Sequence, residues 1–246
     1  MGSLAQPTLI FAHYFGGSAR SWSPLLSALA GDADCSAPDL AGFGGSEAPE
    51  VVSLDSYIDQ MEALAGERPW IAVGHSMGGK IAMAAAARRS AALKALILIA
   101  PSPPTGEPTS EAERQDTIDA FADRAAAQRL FEKITDDSLF ADVFAVCVED
   151  ELRVAPRARL WWLKRGSRED ISDRTRGLDL PVLVIAGDDD KVFGLKTPFK
   201  VANGLKRAEV SVVAGGGHLV PLEQPALVAD MIRTFLSDLQ STGCDA

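Results

Sequence analysis

The amino-acid sequence predicts an α/β protein with a mostly parallel central sheet of about six strands, flanked by helices, and a helical cap inserted before the penultimate strand. Short apolar runs recur along the chain without polar alternation, which is typical of strands buried on both faces. Longer segments with helical spacing separate these runs, as crossovers in a parallel sheet require. One long stretch, residues 103–177, contains no convincing strand.

The predicted strands are six apolar runs that end in glycine-rich or polar residues. They are Thr8–His13, Cys35–Pro38, Trp70–Val73, Ala95–Ile99, Val182–Ala186 and Val210–Val213. Helical spacing predicts core helices at Trp22–Ala30, Leu54–Ala65, Met77–Arg89 and Ala226–Leu239. Because strands and helices alternate, the strands are expected to run parallel.

Residues 103–177 are predicted to be a mostly helical insertion. A breaker cluster, PSPPTGEPTS, precedes three helical segments: Ser110–Lys133, Ser138–Val148 and Pro156–Lys164. Ordinary crossover helices are the alternative, but the stretch is too long for one crossover. We therefore expect a core domain of residues 1–102 and 178–246 and a helical cap of residues 103–177.

Composition narrows the function classes. The chain has 246 residues, 47% of them hydrophobic, and a formal net charge of −10, which disfavours binding to nucleic acid. Its three cysteines are widely spaced and form no disulfide framework. No secretory signal, membrane-spanning run or zinc-like cluster is present in the sequence. We expect a cytoplasmic protein that acts on a small molecule without a metal, a cofactor or a membrane; the oligomeric state is left open.

The candidate nucleophile is Ser76, in the pattern Gly-x-Ser-x-Gly from Gly74 to Gly78. The pattern alone is weak in a chain with 21 glycines. Its context is specific, because a strand-like run precedes it and an alanine-rich helix follows. A serine at such a sharp strand-to-helix turn is exposed at the top of the sheet. The alternative is a glycine-rich turn that only caps the helix.

A serine nucleophile needs a base, and the chain has three histidines. His75 adjoins Ser76, but adjacent side chains point apart in a sharp turn, so a packing role is expected. His13 ends the first predicted strand, ahead of the nucleophile. His218 follows the last strand and alone satisfies the order serine, acid, histidine that this kind of sheet requires. The alternative for His218 is a surface loop histidine.

At this point the chain resembles the α/β-hydrolase superfamily over nearly its full length. The matching pieces are HYFGGS at residues 13–18, DLAGFGGS at 39–46, GHSMGG at 74–79, GDDD at 187–190 and GHLVPLEQP at 217–225. The resemblance implies an esterase-like Ser-His-Asp hydrolase with a helical cap and no cofactor.

The acid is expected in the run AGDDDKVF, which follows the strand before the histidine strand. The family places the acid three residues after the glycine, and this position is Asp190. Asp189 is the next candidate, and Asp188 is expected to be a solvated loop residue.

The oxyanion hole is predicted from backbone N–H groups. The N–H of Met77, just after the nucleophile, is one donor. By resemblance, the second is the N–H of Phe15. The family commonly has His-Gly where this chain has His13-Tyr14, so either the loop uses backbone angles open to any residue or the oxyanion loop differs. His13 is expected to brace this loop by hydrogen bonds.

Other residues are candidates for substrate contact or support. Tyr14 offers a hydroxyl to substrate or packs under its loop. Trp161 and Trp162 are neighbours on a helix, so one can face the pocket while the other packs in the core, or both pack the cap. Val220 is a further candidate for substrate contact. Asp39 is expected to be a structural hydrogen-bonding residue.

The leading hypothesis is a carboxylic-ester hydrolase for small or medium uncharged acyl substrates. The same fold also supports C–C bond hydrolysis, lactone opening or perhydrolysis, which the sequence does not separate. A small-molecule receptor that keeps the triad but barely turns over is a hypothesis from another class. Dehalogenation and epoxide hydrolysis are disfavoured, because relatives with those activities carry an aspartate at the position of Ser76.

Overall fold

The structure is a computed structural model that describes residues 7–135 and 139–243. Its single sheet is parallel throughout, in the strand order β2-β1-β3-β4-β5-β6. The strands are β1 (Thr8–Ala12), β2 (Cys35–Ser36), β3 (Trp70–His75), β4 (Leu93–Ile99), β5 (Val182–Gly187) and β6 (Ala208–Val213). Each coincides with a predicted apolar run, so the predicted fold class is confirmed.

Helices surround the sheet. Those that pack near the strands are α1 (Ser23–Ala28), α2 (Leu54–Ala65), α3 (Met77–Ala87), α9 (Lys196–Asn203), α10 (Val220–Glu223) and α11 (Pro225–Gly243). Between β4 and β5 lie α4 (Glu111–Asp119), α5 (Arg124–Ile134), α6 (Ala141–Leu152), α7 (Pro156–Lys164) and α8 (Ser172–Thr175). Short 3₁₀ turns occur at Ala19–Trp22 and Gly166–Arg168.

The sheet has an apolar layer on each face, which explains why its strand residues do not alternate with polar ones. β1 and β3 are fully buried along their lengths. One face packs on α2 and α3 through residues such as Ile58 and Ile81. The other packs on α1 and α11 through residues such as Leu25 and Ile232. Burial on both faces is typical of parallel sheets covered by helices.

The helical segments differ from prediction in detail. Ser110–Lys133 is two helices, because Ala122 has a positive φ of 60° and Asp123 caps the start of α5. The Asp123 carboxylate accepts hydrogen bonds from the first-turn N–H groups of α5, which favours a new helix there. α9 was not predicted, since its eight residues are short for periodic analysis. Ser138, where one predicted segment begins, lies outside the described residues.

The helices α4–α8 fill the stretch predicted to be a cap, and the division into two domains stays a prediction. Part of this segment packs on the loop after β1. Phe131 of α5 and Cys147 of α6 share an apolar cluster with Tyr14. Within the described ranges, no helix combines the length and apolarity that crossing a membrane requires.

Candidate active site

The candidate site lies at the carboxyl edge of the sheet, where the loops after β1, β3, β5 and β6 meet. Ligands of open α/β sheets bind at this edge because parallel strands all present their C-terminal ends there. The loops bring together Phe15, Ser76, Asp190 and His218, which are far apart in sequence. Sheet register therefore fixes the spacing of the site.

Ser76 occupies a strained turn between β3 and α3. Its φ is 52° and its ψ is −112°, a conformation that residues other than glycine rarely adopt. Backbone hydrogen bonds hold the turn. The Ser76 N–H donates to the Ile99 carbonyl at 3.0 Å, and the Ser76 carbonyl accepts from the N–H groups of Gly79 at 2.9 Å and Ser102 at 3.0 Å. Strain held in this way by the surrounding fold keeps the hydroxyl pointing out of the sheet.

The glycines on either side of Ser76 are required by close backbone approach. A Cβ at Gly78 would overlap the carbonyl oxygen of Ala12, and a Cβ at Gly74 would overlap the backbone of Gly78. The pattern Gly-x-Ser-x-Gly therefore has a steric cause in this fold: α3 starts close against β1.

Ser76, His218 and Asp190 form one hydrogen-bonded chain. His218 Nε2 lies 3.0 Å from Ser76 Oγ, and His218 Nδ1 lies 3.0 Å from Asp190 Oδ2. All three residues are buried, with 8%, 4% and 7% of their surface exposed. With Nδ1–H donating to Asp190, Nε2 is free to accept the Ser76 proton.

The surroundings of Asp190 favour its charged form. Its burial would raise its pKa, but the charge and hydrogen bond of His218 and two backbone N–H groups outweigh this and lower the pKa. Val192 N–H and Phe193 N–H donate to Asp190 Oδ1 at 2.7 and 3.0 Å. One carboxylate oxygen is thus fixed by the backbone, while the other faces the imidazole.

The neighbouring aspartates have other contacts. Asp188 is exposed, and its carboxylate accepts the Gly215 N–H at 2.6 Å, which ties together the loops after β5 and β6. Asp189 is also exposed and lies 3.4 Å from Lys191 Nζ. Of this run, the structure places only Asp190 against His218.

The other two histidines are structural. Burial lowers the pKa of His75 to about 3 and that of His13 to about 4, so both are neutral at physiological pH. His75 Nε2 donates to the His218 carbonyl at 2.8 Å. His13 Nδ1 donates to the Tyr14 carbonyl at 2.8 Å, and its Nε2 accepts the Leu40 N–H at 3.1 Å.

These contacts confirm that His13 braces its loop. His75 does more than pack, because its Nε2–H donates to the carbonyl of His218; no sequence pattern indicated that contact. Asp39 is a structural acceptor, as expected, since its carboxylate binds the N–H groups of Ala19 at 2.7 Å and Gly45 at 2.8 Å.

The loop after β1 tolerates tyrosine where the family commonly has glycine. Tyr14 has no positive φ, whereas Gly16 carries a φ of 88°. The loop therefore has ordinary backbone angles at Tyr14, and the position that needs a glycine is Gly16. The N–H groups of Phe15 and Met77 form no hydrogen bond with another residue in the part of the chain that the structure describes. Both remain candidate oxyanion donors.

A cavity of about 460 Å³ opens above Ser76. Tyr14, Phe15, Trp162 and His218 line it with Ser76. The size suits a small or medium ligand. Tyr14 is 3% exposed, and its ring packs 5.1 Å from that of His75.

Two of the residues predicted to contact substrate are not among those that line this cavity. Trp161 packs on Tyr57, with ring centroids 5.2 Å apart. Val220, the first residue of α10, is fully buried in the apolar layer that α1 and α11 form on the sheet. Trp162 lines the cavity while Trp161 packs in the core, which is one of the two arrangements that the sequence left open, because helical neighbours point about 100° apart. A role of Val220 in substrate binding stays a prediction.

Sequence reasoning missed several cavity residues. Glu107, Lys133, Val192 and Phe193 line the cavity, although none of them was a candidate for substrate contact. Glu107 carried a signal as an acidic residue inside a proline-rich breaker cluster, and Val192 and Phe193 end the run that holds the predicted acid. In the described ranges, no group of three or more His, Cys, Asp and Glu side chains is arranged to hold a metal ion.

The fold and site define an enzyme of the hydrolase type with a serine at a nucleophile turn. Residues 9–231 match the alpha/beta hydrolase family, and the chain belongs to that family.

Similar proteins differ in their chemistry. A 2-hydroxymuconate semialdehyde hydrolase from Pseudomonas sp. (strain CF600) is 28% identical over 236 residues, which cover 89% of this chain and 81% of that protein. A putative 2-succinyl-6-hydroxy-2,4-cyclohexadiene-1-carboxylate synthase from Bacillus subtilis (strain 168) is 24% identical and covers 97% of this chain and 93% of its own length.

A solved structure supports the fold. An esterase from Rhodococcus sp. ECU1013 superposes with a TM-score of 0.82 at 22% identity, covering 97% of this chain and 93% of that one. The family thus covers several activities, and the site must be used to choose among them.

Proposed function

We propose that this protein is a serine hydrolase that cleaves carboxylic esters with a small or medium uncharged acyl group. The observation that carries the proposal is the chain Ser76–His218–Asp190, with 3.0 Å at each hydrogen bond. A serine, a base and an orienting carboxylate in this geometry are the groups that acyl transfer needs.

The reaction follows from these positions. Ser76 Oγ attacks the ester carbonyl while His218 Nε2 takes its proton. Asp190 holds the Nδ1–H and stabilises the imidazolium that forms. The tetrahedral oxyanion is stabilised by the N–H groups of Met77 and Phe15, each of which is worth about 3–4 kcal/mol in comparable enzymes. His218 then gives its proton to the leaving alcohol, and water releases the acyl group by the same steps.

A second candidate is hydrolysis of a C–C bond. The semialdehyde hydrolase to which the chain is similar over most of its length favours it. The cavity wall carries three carboxylates, those of Glu107, Glu113 and Asp116, and two ammonium groups, those of Lys133 and Lys191. Its negative formal charge favours an uncharged ester over an anionic substrate.

The proposal also includes the expectations on the cap, the location of the substrate and the cofactor. Residues 103–177 form a cap that covers the cavity, and the substrate is a small molecule in the cytoplasm. No cofactor takes part in the steps above.

The test is a comparison of wild type with S76A on p-nitrophenyl butyrate and on 2-hydroxymuconate semialdehyde. We expect ester cleavage that falls by about 10⁴-fold or more in S76A. Equal ester cleavage by both proteins would refute the proposal. A larger kcat/KM for the semialdehyde than for the ester would replace ester hydrolysis by C–C hydrolysis. D189N serves as the matched control, since the exposed Asp189 carboxylate lies outside the hydrogen-bonded chain and faces Lys191.

A further inference from the structure

Glu107 is a carboxylate in the cavity wall that the proposed steps do not use. It lies on the loop between β4 and α4 and lines the same cavity as Ser76 and His218.

The position of Glu107 is fixed from several sides. Its N–H donates to Ser167 at 2.7 Å, and its carbonyl accepts from Arg114 Nη2 at 3.1 Å. Glu107 Oε1 accepts the Ser102 hydroxyl at 2.8 Å. The Ser102 N–H in turn donates to the Ser76 carbonyl at 3.0 Å. The carboxyl is therefore held at a set place relative to the nucleophile.

No residue of the described chain forms an ion pair with this carboxylate. The nearest positive charges have other contacts: Lys80 Nζ donates to the Thr105 carbonyl at 3.1 Å, and Arg114 binds carbonyls and the Ser167 hydroxyl. Burial raises the pKa of Glu107, and the charges of Lys80 and Arg114 and the Ser102 hydrogen bond offset this only in part. A partly buried carboxylate of this kind is stabilised by a cation brought from outside.

The other charged groups of the cavity lie at its outer side. Lys133 and Lys191 are exposed, and Lys191 is already close to Asp189. Glu113 is exposed and caps α4 through Ser110, while Asp116 is exposed on the same helix. Among the charged residues of the cavity, Glu107 therefore combines a fixed position with the lack of an ion-pair partner in the described chain.

We propose that Glu107 binds a protonated amine of the substrate, so that the preferred substrates are esters of amino alcohols. The amine belongs to the alcohol part because the proposed acyl group is uncharged. This inference rests on the proposed ester hydrolysis. A charge-assisted hydrogen bond to an ammonium also gives a carboxylate the partner that the protein does not supply.

The test uses two esters of the same shape, dimethylaminoethyl butyrate and isopentyl butyrate, which differ only in an ammonium in place of a CH group. We expect wild type at neutral pH to prefer the amino ester by about tenfold or more in kcat/KM. In E107Q this ratio should fall to about one. E132Q is the matched control, since it removes an exposed carboxylate of α5 that does not line the cavity, and it should keep the wild-type ratio. Thermal unfolding of each variant checks that it is folded.

A second measurement does not depend on turnover. Calorimetry on S76A compares binding of dimethylaminoethanol with that of isopentyl alcohol, and on S76A/E107Q the preference for the amine should disappear. An unchanged ester ratio in E107Q, or an equal loss of kcat on both esters, would overturn the inference while leaving ester hydrolysis intact. If wild type cleaves neither ester, ester hydrolysis fails, and calorimetry alone decides the role of Glu107.

Discussion

The sheet edge and the segment of helices α4–α8 enclose the same cavity, but they hold their polar groups differently. At the sheet edge, Ser76, Asp190 and His218 stand on short turns fixed by backbone contacts. In the stretch from β4 to β5, polar groups such as Glu107 and Arg114 are fixed by side-chain hydrogen bonds across that stretch. The groups that the proposed reaction uses stand at the sheet edge, and Glu107, the proposed contact of the substrate amine, stands on the helical side. We infer that the sheet edge determines the reaction and the helical side the substrate.

The largest expected effect is the loss of kcat when the carboxylate that orients His218 is removed. D190N should lower kcat for p-nitrophenyl butyrate by about 10⁴-fold, because the amide can no longer hold the imidazole in the required tautomer. Steady-state kinetics measures the loss. D189N, one position away and exposed, is the control and should stay within about twofold of wild type. If instead D189N were the inactive variant, the acid would be Asp189.

The second prediction concerns the stability of the fold where the start of α3 lies close against β1. G78A should destabilise the fold by about 3 kcal/mol or more, because its Cβ meets the backbone of Ala12. Urea unfolding measures this. G204A is the control, since Gly204 has an ordinary φ of −82° and a Cβ there makes ordinary contacts. A G78A protein as stable as G204A would show that α3 can move away from β1.

A third prediction concerns the neutral histidine at the sheet edge. The pKa of His75 is about 3 in the folded state, below the value of about 6.5 for an unfolded chain. As pH falls below about 6.5, His75 therefore binds a proton in the unfolded state but stays neutral in the folded state. The free energy of unfolding falls as a result.

The expected contribution of His75 is about 1.4 kcal/mol per pH unit. Denaturant unfolding between about pH 6 and about pH 5, above the usual aspartate range, measures it. H75Q keeps a donor for the His218 carbonyl and should lose this part of the slope. An identical slope in wild type and H75Q would contradict a neutral, buried His75.

The smallest expected effect is on the two tryptophans of α7. W162F should raise KM for p-nitrophenyl butyrate by about two- to fivefold, because Trp162 lines the cavity. W161F should leave KM unchanged and lower stability by about 1 kcal/mol, because Trp161 packs on Tyr57. Kinetics and thermal unfolding on both variants give the comparison. The opposite pattern would assign the cavity wall to Trp161.

Much of the fold was predictable from the sequence for one physical reason: strands buried on both faces need unbroken apolar runs. The six runs became six strands, and the glycines around Ser76 indicated the sharp turn. α9 was not predicted, because a short helix has little periodic pattern in its sequence. The break at Ala122 was not predicted, because composition does not indicate a positive φ at an alanine.

The sequence by itself determined which segments form the strands, and it indicated the turn at Ser76 and the candidate His218, since these belong to local patterns that a parallel sheet requires. The candidate Asp190 came from the resemblance to the hydrolase family. Only the tertiary structure decided which tryptophan faces the cavity, that His75 bonds to the His218 backbone, and that Glu107 faces the cavity without an ion pair. These facts depend on contacts between residues far apart in the chain. Local sequence patterns do not encode the packing angles that bring such residues together.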